Sequence, residues 1–173
     1  DPLWSRGLGD VYKRQIRYTA AKPAGAPHDL EVLPRSRFTR IDLPTDAGIQ
    51  DVFRHLANDQ ARTEAIATEV REAVKQGRKV LVLTERTEHL DAIKVTLDGL
   101  EPAPLVLHGR MSRKQRAALV ADLDALPPDA PRVLLSTGKL VGEGFDHPPL
   151  DTLVLAMPVS WKGTLQQLSL IHI

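Results

Sequence analysis

Short, almost uninterrupted apolar runs recur along this chain: Val80-Leu81-Val82-Leu83, Leu105-Val106-Leu107, Val133-Leu134-Leu135 and Leu153-Val154-Leu155. A strand with one face in water alternates apolar and polar residues, so a strand without that alternation needs cover on both faces. Helical patterns lie between the runs. Gln60 to Gln76 carries Ala65, Ile66, Val70, Ala73 and Val74 at helical spacing, with Asn58 or Asp59 near its start and Gly77 as its stop. Glu88 to Leu97 and Arg113 to Leu126 read as further helices, the latter opened by a Ser112/Gln115 capping box. Strands alternating with helices predict an α/β fold, a parallel sheet with helices on both faces. Upstream, Gln50 to Leu56 reads as a helix, Phe38 to Leu43 as a strand that opens the domain, and the Pro/Ala/Gly-rich Ala20 to Pro34 as a connector.

The ends of the chain have a different character. Asp10 to Gln15 back-translates as GAT GTG TAT AAG AGA CAG and Leu168 to Ile173 as CTG TCT CTT ATA CAC ATC. The two strings are reverse complements over most of their length, as the mosaic ends of a transposase-made sequencing library are. Residues 1–15 and 168–173 are therefore read as adapter-derived and set aside from fold reasoning. Residues 16–36 then form an interdomain connector and 37–167 an incomplete domain.

The chain has 23 Lys+Arg against 22 Asp+Glu, and without the ends the balance is neutral. Neutrality gives no general electrostatic footprint for nucleic acid, although a local patch can supply one. The absence of cysteine excludes a disulfide framework and thiolate metal sites, and fits a cytoplasmic setting. No apolar run approaches a bilayer span. The six histidines show no metal-ligand spacing.

In an open parallel sheet, ligands bind outside the carboxyl ends of the strands. Three such ends carry polar residues: Thr84-Glu85-Arg86-Thr87-Glu88, His108-Gly109-Arg110, and Ser136-Thr137-Gly138 followed by Gly142-Glu143-Gly144-Phe145-Asp146. Hydroxyls and glycines suit phosphate, because small residues let backbone N–H groups approach an anion and neutral donors grip its oxygens without reading a base. Each end also has a plainer reading. Thr87 caps a helix while Arg86 and Glu88 are solvated; His108 is a polar strand terminus; Gly142 and Gly144 serve a tight turn; Asp146 makes an Asx turn before His147-Pro148-Pro149.

Ser136-Thr137, the Gly144-Phe145-Asp146 triplet and the strand that begins near Asp151 resemble motif five of superfamily 2 helicases, nucleic-acid-dependent ATPases of DEAD/DEAH-box type. The segment from Thr84 resembles motif four, and His108-Gly109 resembles a short His/Gly segment near the nucleic-acid path of that family. Pro158 to Gln167 resembles the approach to motif six, Gln167 matching its first position. The resemblance implies that the chain is the second RecA-like domain of such an enzyme. It implies nucleic-acid contact by Thr84, Arg86, His108, Gly109, Ser136 and Thr137, and an ATP-side position for Gly144, Asp146 and Gln167.

The catalytic arginines of motif six fall after Gln167, so no catalytic residue is expected within the chain and it should be inactive alone. The intact protein is expected to use ATP and Mg²⁺, to pair this domain with a first RecA-like domain of the same chain, and to track nucleic acid, DNA rather than RNA. Gly138 departs from the family, standing where many relatives have Asp or Arg, and the spacing to Gly144 differs by a residue from the DEAD-box pattern. The wording of both motifs is most similar to bacterial restriction- or conflict-system helicases. Two other classes remain open: a nucleotide-sugar or dinucleotide-binding enzyme, which needs a Gly-x-Gly-x-x-Gly turn not found here, and a non-catalytic α/β interaction domain. Trp161 fits either a nucleic-acid contact or a partly buried core position.

Overall fold

Four parallel strands, β1 (Lys79–Thr84), β2 (Leu105–Leu107), β3 (Arg132–Thr137) and β4 (Thr152–Leu155), form one sheet in the order β2-β3-β1-β4. Among the described residues, four helices accompany them: α1 (Ile49–Asn58), α2 (Gln60–Lys75), α3 (Thr87–Thr96) and α4 (Arg113–Asp124). The computed structural model describes residues 33–35, 42–138, 145 and 147–157, all within one compact unit, Val32–Ile173.

Strand alternation sorts the apolar runs onto two faces. Val80, Val82, Val133 and Leu135 bury against Ala67, Val70 and Val74 of α2, Leu90 and Ile93 of α3, and Leu97 just past its end. Leu81, Leu83, Leu134 and Leu107 point the other way, onto Leu123 of α4 and Leu150. Both faces are thus covered, as the missing alternation requires, and each buried Val or Leu stabilises the fold by about 1.5–3 kcal/mol. A third cluster packs Phe53, Leu56 and Ala57 of α1 on Met157, just past β4.

Local chemistry sets the element ends. Asp59 caps α2 by accepting from Arg62 N at 3.1 Å. Gly77, at φ +74°, ends it with two reverse bonds, Gly77 N to Val74 O at 2.9 Å and Arg78 N to Ala73 O at 3.0 Å. The Ser112/Gln115 box opens α4, its two bonds at 3.2 and 2.8 Å. Asp151 ties β4 to the start of β1, accepting from Lys79 N at 3.0 Å and pairing with Lys79 Nζ at 3.3 Å.

Several boundaries differ from expectation. Asp42 and Leu43, the described end of the strand expected from Phe38, are not in a strand. The N-cap of α3 is Arg86, without a side-chain bond, so Thr87 lies inside the helix rather than capping it. β3 continues through Ser136 and Thr137, which pair in register with Leu83 and Thr84; those hydroxyl residues belong to the sheet, not to a following turn. α4 stops at Asp124, two residues short of Leu126: Pro127-Pro128 follow, and the residue before a proline is driven out of the helical region.

Candidate functional site

The carboxyl edge of the sheet gathers the residues singled out from sequence. Thr84 and Thr137 are register partners on neighbouring strands, and His108 follows Leu107, which faces Ser136. Beside them, Ala156 N donates to Leu83 O at 2.8 Å, carrying the backbone pattern one residue past β4.

Thr84 is 2% exposed, and its hydroxyl lies 3.0 Å from His89 Nδ1. His89 is wholly buried, with Nε2 3.5 Å from Thr63 Oγ1, which itself donates to Asp59 O at 3.1 Å. Since Thr63 has given its proton to a carbonyl, it accepts from His89 Nε2–H, and Nδ1 accepts from Thr84. Burial, helped by the charge of Arg62, lowers the His89 pKa to about 4, so the ring is neutral. Arg62 Nη2 donates to Ala156 O at 3.0 Å, joining this polar chain to the end of β4. Thr84 thus anchors the edge from beneath.

Ser136 is also buried, and its Oγ donates to Thr137 O at 3.2 Å. Thr137 is partly buried. Arg86 holds its guanidinium against Glu88 Oε2 at 3.3 Å and Gln50 O at 3.4 Å, leaving its side chain 19% exposed. His108 is partly buried, and its Nδ1 accepts from Arg110 N at 3.2 Å, which puts the neutral ring's proton on Nε2. Gly109 is exposed, with nothing within 4 Å of where a Cβ would sit. At Gly138 a Cβ would stand 2.9 Å from Glu85 Oε1, so the residue that departs from the family pattern makes room for a neighbouring carboxylate. Gly144, Asp146, Gln167 and Trp161 lie outside the described residues, as do residues 1–15 and 168–173.

Sequence reasoning missed a second buried polar cluster, on the α4 side. Arg132 is 1% exposed. Its Nε donates to Ala130 O at 3.2 Å, Nη1 to Leu123 O at 3.3 Å, and Nη2 to Pro127 O. Nη1 also lies 2.8 Å from His147 Nε2, which must accept, so His147 Nδ1–H donates to Asp124 Oδ1 at 3.2 Å. Burial lowers the Arg132 pKa while Asp124 opposes that shift. The only advance signal was a charged residue immediately before an apolar strand, which ordinarily reads as solvated.

The sequence matches the family described as the helicase conserved C-terminal domain over residues 61–169, and the chain belongs to that family. The fold is similar to that of T4 UvsW, with a TM-score of 0.60 at 15% identity, covering 73% of this chain and 25% of that one. It is also similar to the C-terminal part of the Fun30 ATPase domain, with a TM-score of 0.51 at 19% identity, covering 58% and 32%. The chain therefore spans about a quarter to a third of these relatives. Comparison with curated proteins finds no match. The chain is a helicase C-terminal domain with a RecA-like parallel sheet, and among the described residues no helix is long and apolar enough to cross a membrane.

Proposed function

We propose that this domain supplies one wall of the ATP cleft and part of the nucleic-acid track of an ATP-dependent helicase or translocase. The observation that carries this reading is the pairing of Thr84 with Thr137, which sets the ends of two motif-bearing strands side by side, with His108 on the next strand. At this edge Thr137 is the hydroxyl that donates to a backbone phosphate. His108 Nε2–H adds a second neutral donor, Gly109 gives close backbone approach, and Arg86 adds charge. Ser136 and Thr84, both buried, fix the strand ends that carry these contacts. None of these groups reads a base, which suits an enzyme that moves along its track.

Gly144, Asp146 and Gln167 are assigned to the nucleotide side of the cleft, whose other wall is a first RecA-like domain of the same chain. The track is DNA and the setting cytoplasmic. Among the described residues no three His, Asp or Glu side chains converge as a metal site; the Mg²⁺ of the intact protein is assigned to the acidic motif of the first RecA-like domain. Its service there is to neutralise the phosphate charge during transfer.

The test is single-strand binding by the chain and by Thr137→Val. Loss of one phosphate hydrogen bond predicts roughly fivefold weaker binding, near 1 kcal/mol, with an unchanged melt. Equal affinity in the two proteins would remove Thr137 from the track.

A further inference from the structure

β1 and β3 end together, Thr84 opposite Thr137, and the residues that follow are Glu85 on one strand and Gly138 on the other. Gly138 is buried, and a Cβ built on it would stand 2.9 Å from Glu85 Oε1 and 3.8 Å from Glu85 Cδ, so the carboxylate lies against the glycine itself. Any larger residue at 138 would push it away. Glu85 is otherwise exposed and has no hydrogen-bond or ion-pair partner among the described residues. Arg86, the cation next to it in sequence, is turned to Glu88 Oε2 and Gln50 O instead. The Thr137 hydroxyl also has no hydrogen-bond partner among the described residues. A carboxylate without a counter-charge there thus rests on Ser136-Thr137-Gly138, a segment whose small residues suit the close approach of an anion.

We propose that Glu85 is an internal stand-in for phosphate: its carboxylate occupies the glycine seat beside Thr137 and is displaced when the phosphate of a strand docks there. The residue then sets how loosely the track is held. Carboxylate and phosphate carry charge of the same sign and offer the same kind of acceptor oxygens, and their repulsion at contact distance keeps them from sharing one seat. A domain that moves along its track has to release each phosphate as well as bind it. A competing anion at the contact lowers affinity alike for every sequence, because phosphate contacts read no base. The inference rests on the proposed nucleic-acid track and adds the residue that limits its affinity.

The experiment titrates the full chain with a fluorescein-labelled oligo-dT single strand at roughly 50 mM and roughly 500 mM salt. The proteins are wild type, Glu85→Gln, Gly138→Ala, the double variant, and the control Glu101→Gln, an exposed acid that precedes β2 at the opposite sheet edge. Thermal melts confirm folding. Glu85→Gln keeps the shape and removes the charge, so it should bind about fivefold more tightly at the lower salt. At the higher salt, where the Debye length is about 4 Å, the gain should shrink below about twofold. In the Gly138→Ala background, where the added Cβ has already pushed the carboxylate off its seat, the gain should be as small. Glu101→Gln should match wild type. Unchanged or weaker binding by Glu85→Gln, an equal gain in Glu101→Gln, or a full gain that persists in the Gly138→Ala background would overturn the stand-in, while the Thr137→Val comparison still decides the track by itself. Failure of both wild type and Glu85→Gln to bind oligo-dT at the lower salt would overturn the stand-in and the track together.

Discussion

Replacing Arg132 with Met is the severest single test of how this fold ends a helix and starts a strand. Methionine fills much of the space but donates nothing, so the carbonyls of Leu123, Pro127 and Ala130 and the ring nitrogen of His147 lose their donor together. An unpaired buried acceptor costs about 1–3 kcal/mol, and bonds to a charged donor contribute about 1.5–3 kcal/mol each. The guanidinium's own desolvation, visible in its lowered pKa, offsets part of that sum. The net expectation is a loss of about 3–4 kcal/mol, within the range for breaking a buried charged network, and a melting temperature lower by roughly 10 °C. Urea unfolding followed by circular dichroism measures it. A cycle with His147→Ala should give a coupling of at least about 1 kcal/mol, since the two side chains touch. A loss below about 1 kcal/mol for Arg132→Met, with no coupling, would refute the view that this guanidinium holds the α4 to β3 connection together.

Three further outcomes follow from the same geometry. The His89 pKa near 4 lies below its ordinary 6.5, so the unfolded chain takes up the proton first as pH falls; this group's stability is complete above pH 6.5 and is lost toward pH 4. The swing is at most about 3 kcal/mol, and His89→Gln should flatten the stability-pH curve in that window by comparison with wild type; parallel curves would contradict the neutral buried ring. Gly138→Ala should cost less than about 1 kcal/mol, because its clash is with the far end of an exposed glutamate, and adding Glu85→Ala should recover the loss; a large deficit that persists in the double variant would mean that backbone, not Glu85, fills that space. The purified chain should hydrolyse no ATP with or without single-stranded DNA, and steady turnover in a phosphate-release assay would defeat the one-wall assignment.

Much of this fold was legible because its strands carry no polar alternation. Val80 to Leu83 divides between two buried faces just as an uninterrupted apolar run must, and Gly77 and the Ser112/Gln115 pair mark helix ends through backbone chemistry that needs no tertiary partner. Ser136 and Thr137 misled about the end of β3 because hydroxyls suggest a turn, yet both neighbouring strands hold Ser136 in the ladder. Arg132, His89 and His147 were illegible for a different reason. Their partners lie 2–26 residues away, on other elements or in the loop before β3, and a charged or titratable residue declares its burial only when those partners converge.

The proposed helicase wall, with its partner motifs elsewhere in the protein, is tested most directly by sequencing a longer copy of the gene on both sides of residues 16–167. The expected result is a reading frame that continues from Gln167 within about eight residues through Gly-Arg and a second arginine three residues later, since charge developing on a γ-phosphate calls for planar, permanently charged donors. A Gly-x-x-x-x-Gly-Lys-Ser/Thr loop and an acidic Mg²⁺ motif are expected upstream of Ile16. A frame that continues without those arginines, and with no phosphate loop before it, would contradict the account and leave a non-catalytic domain of the same fold.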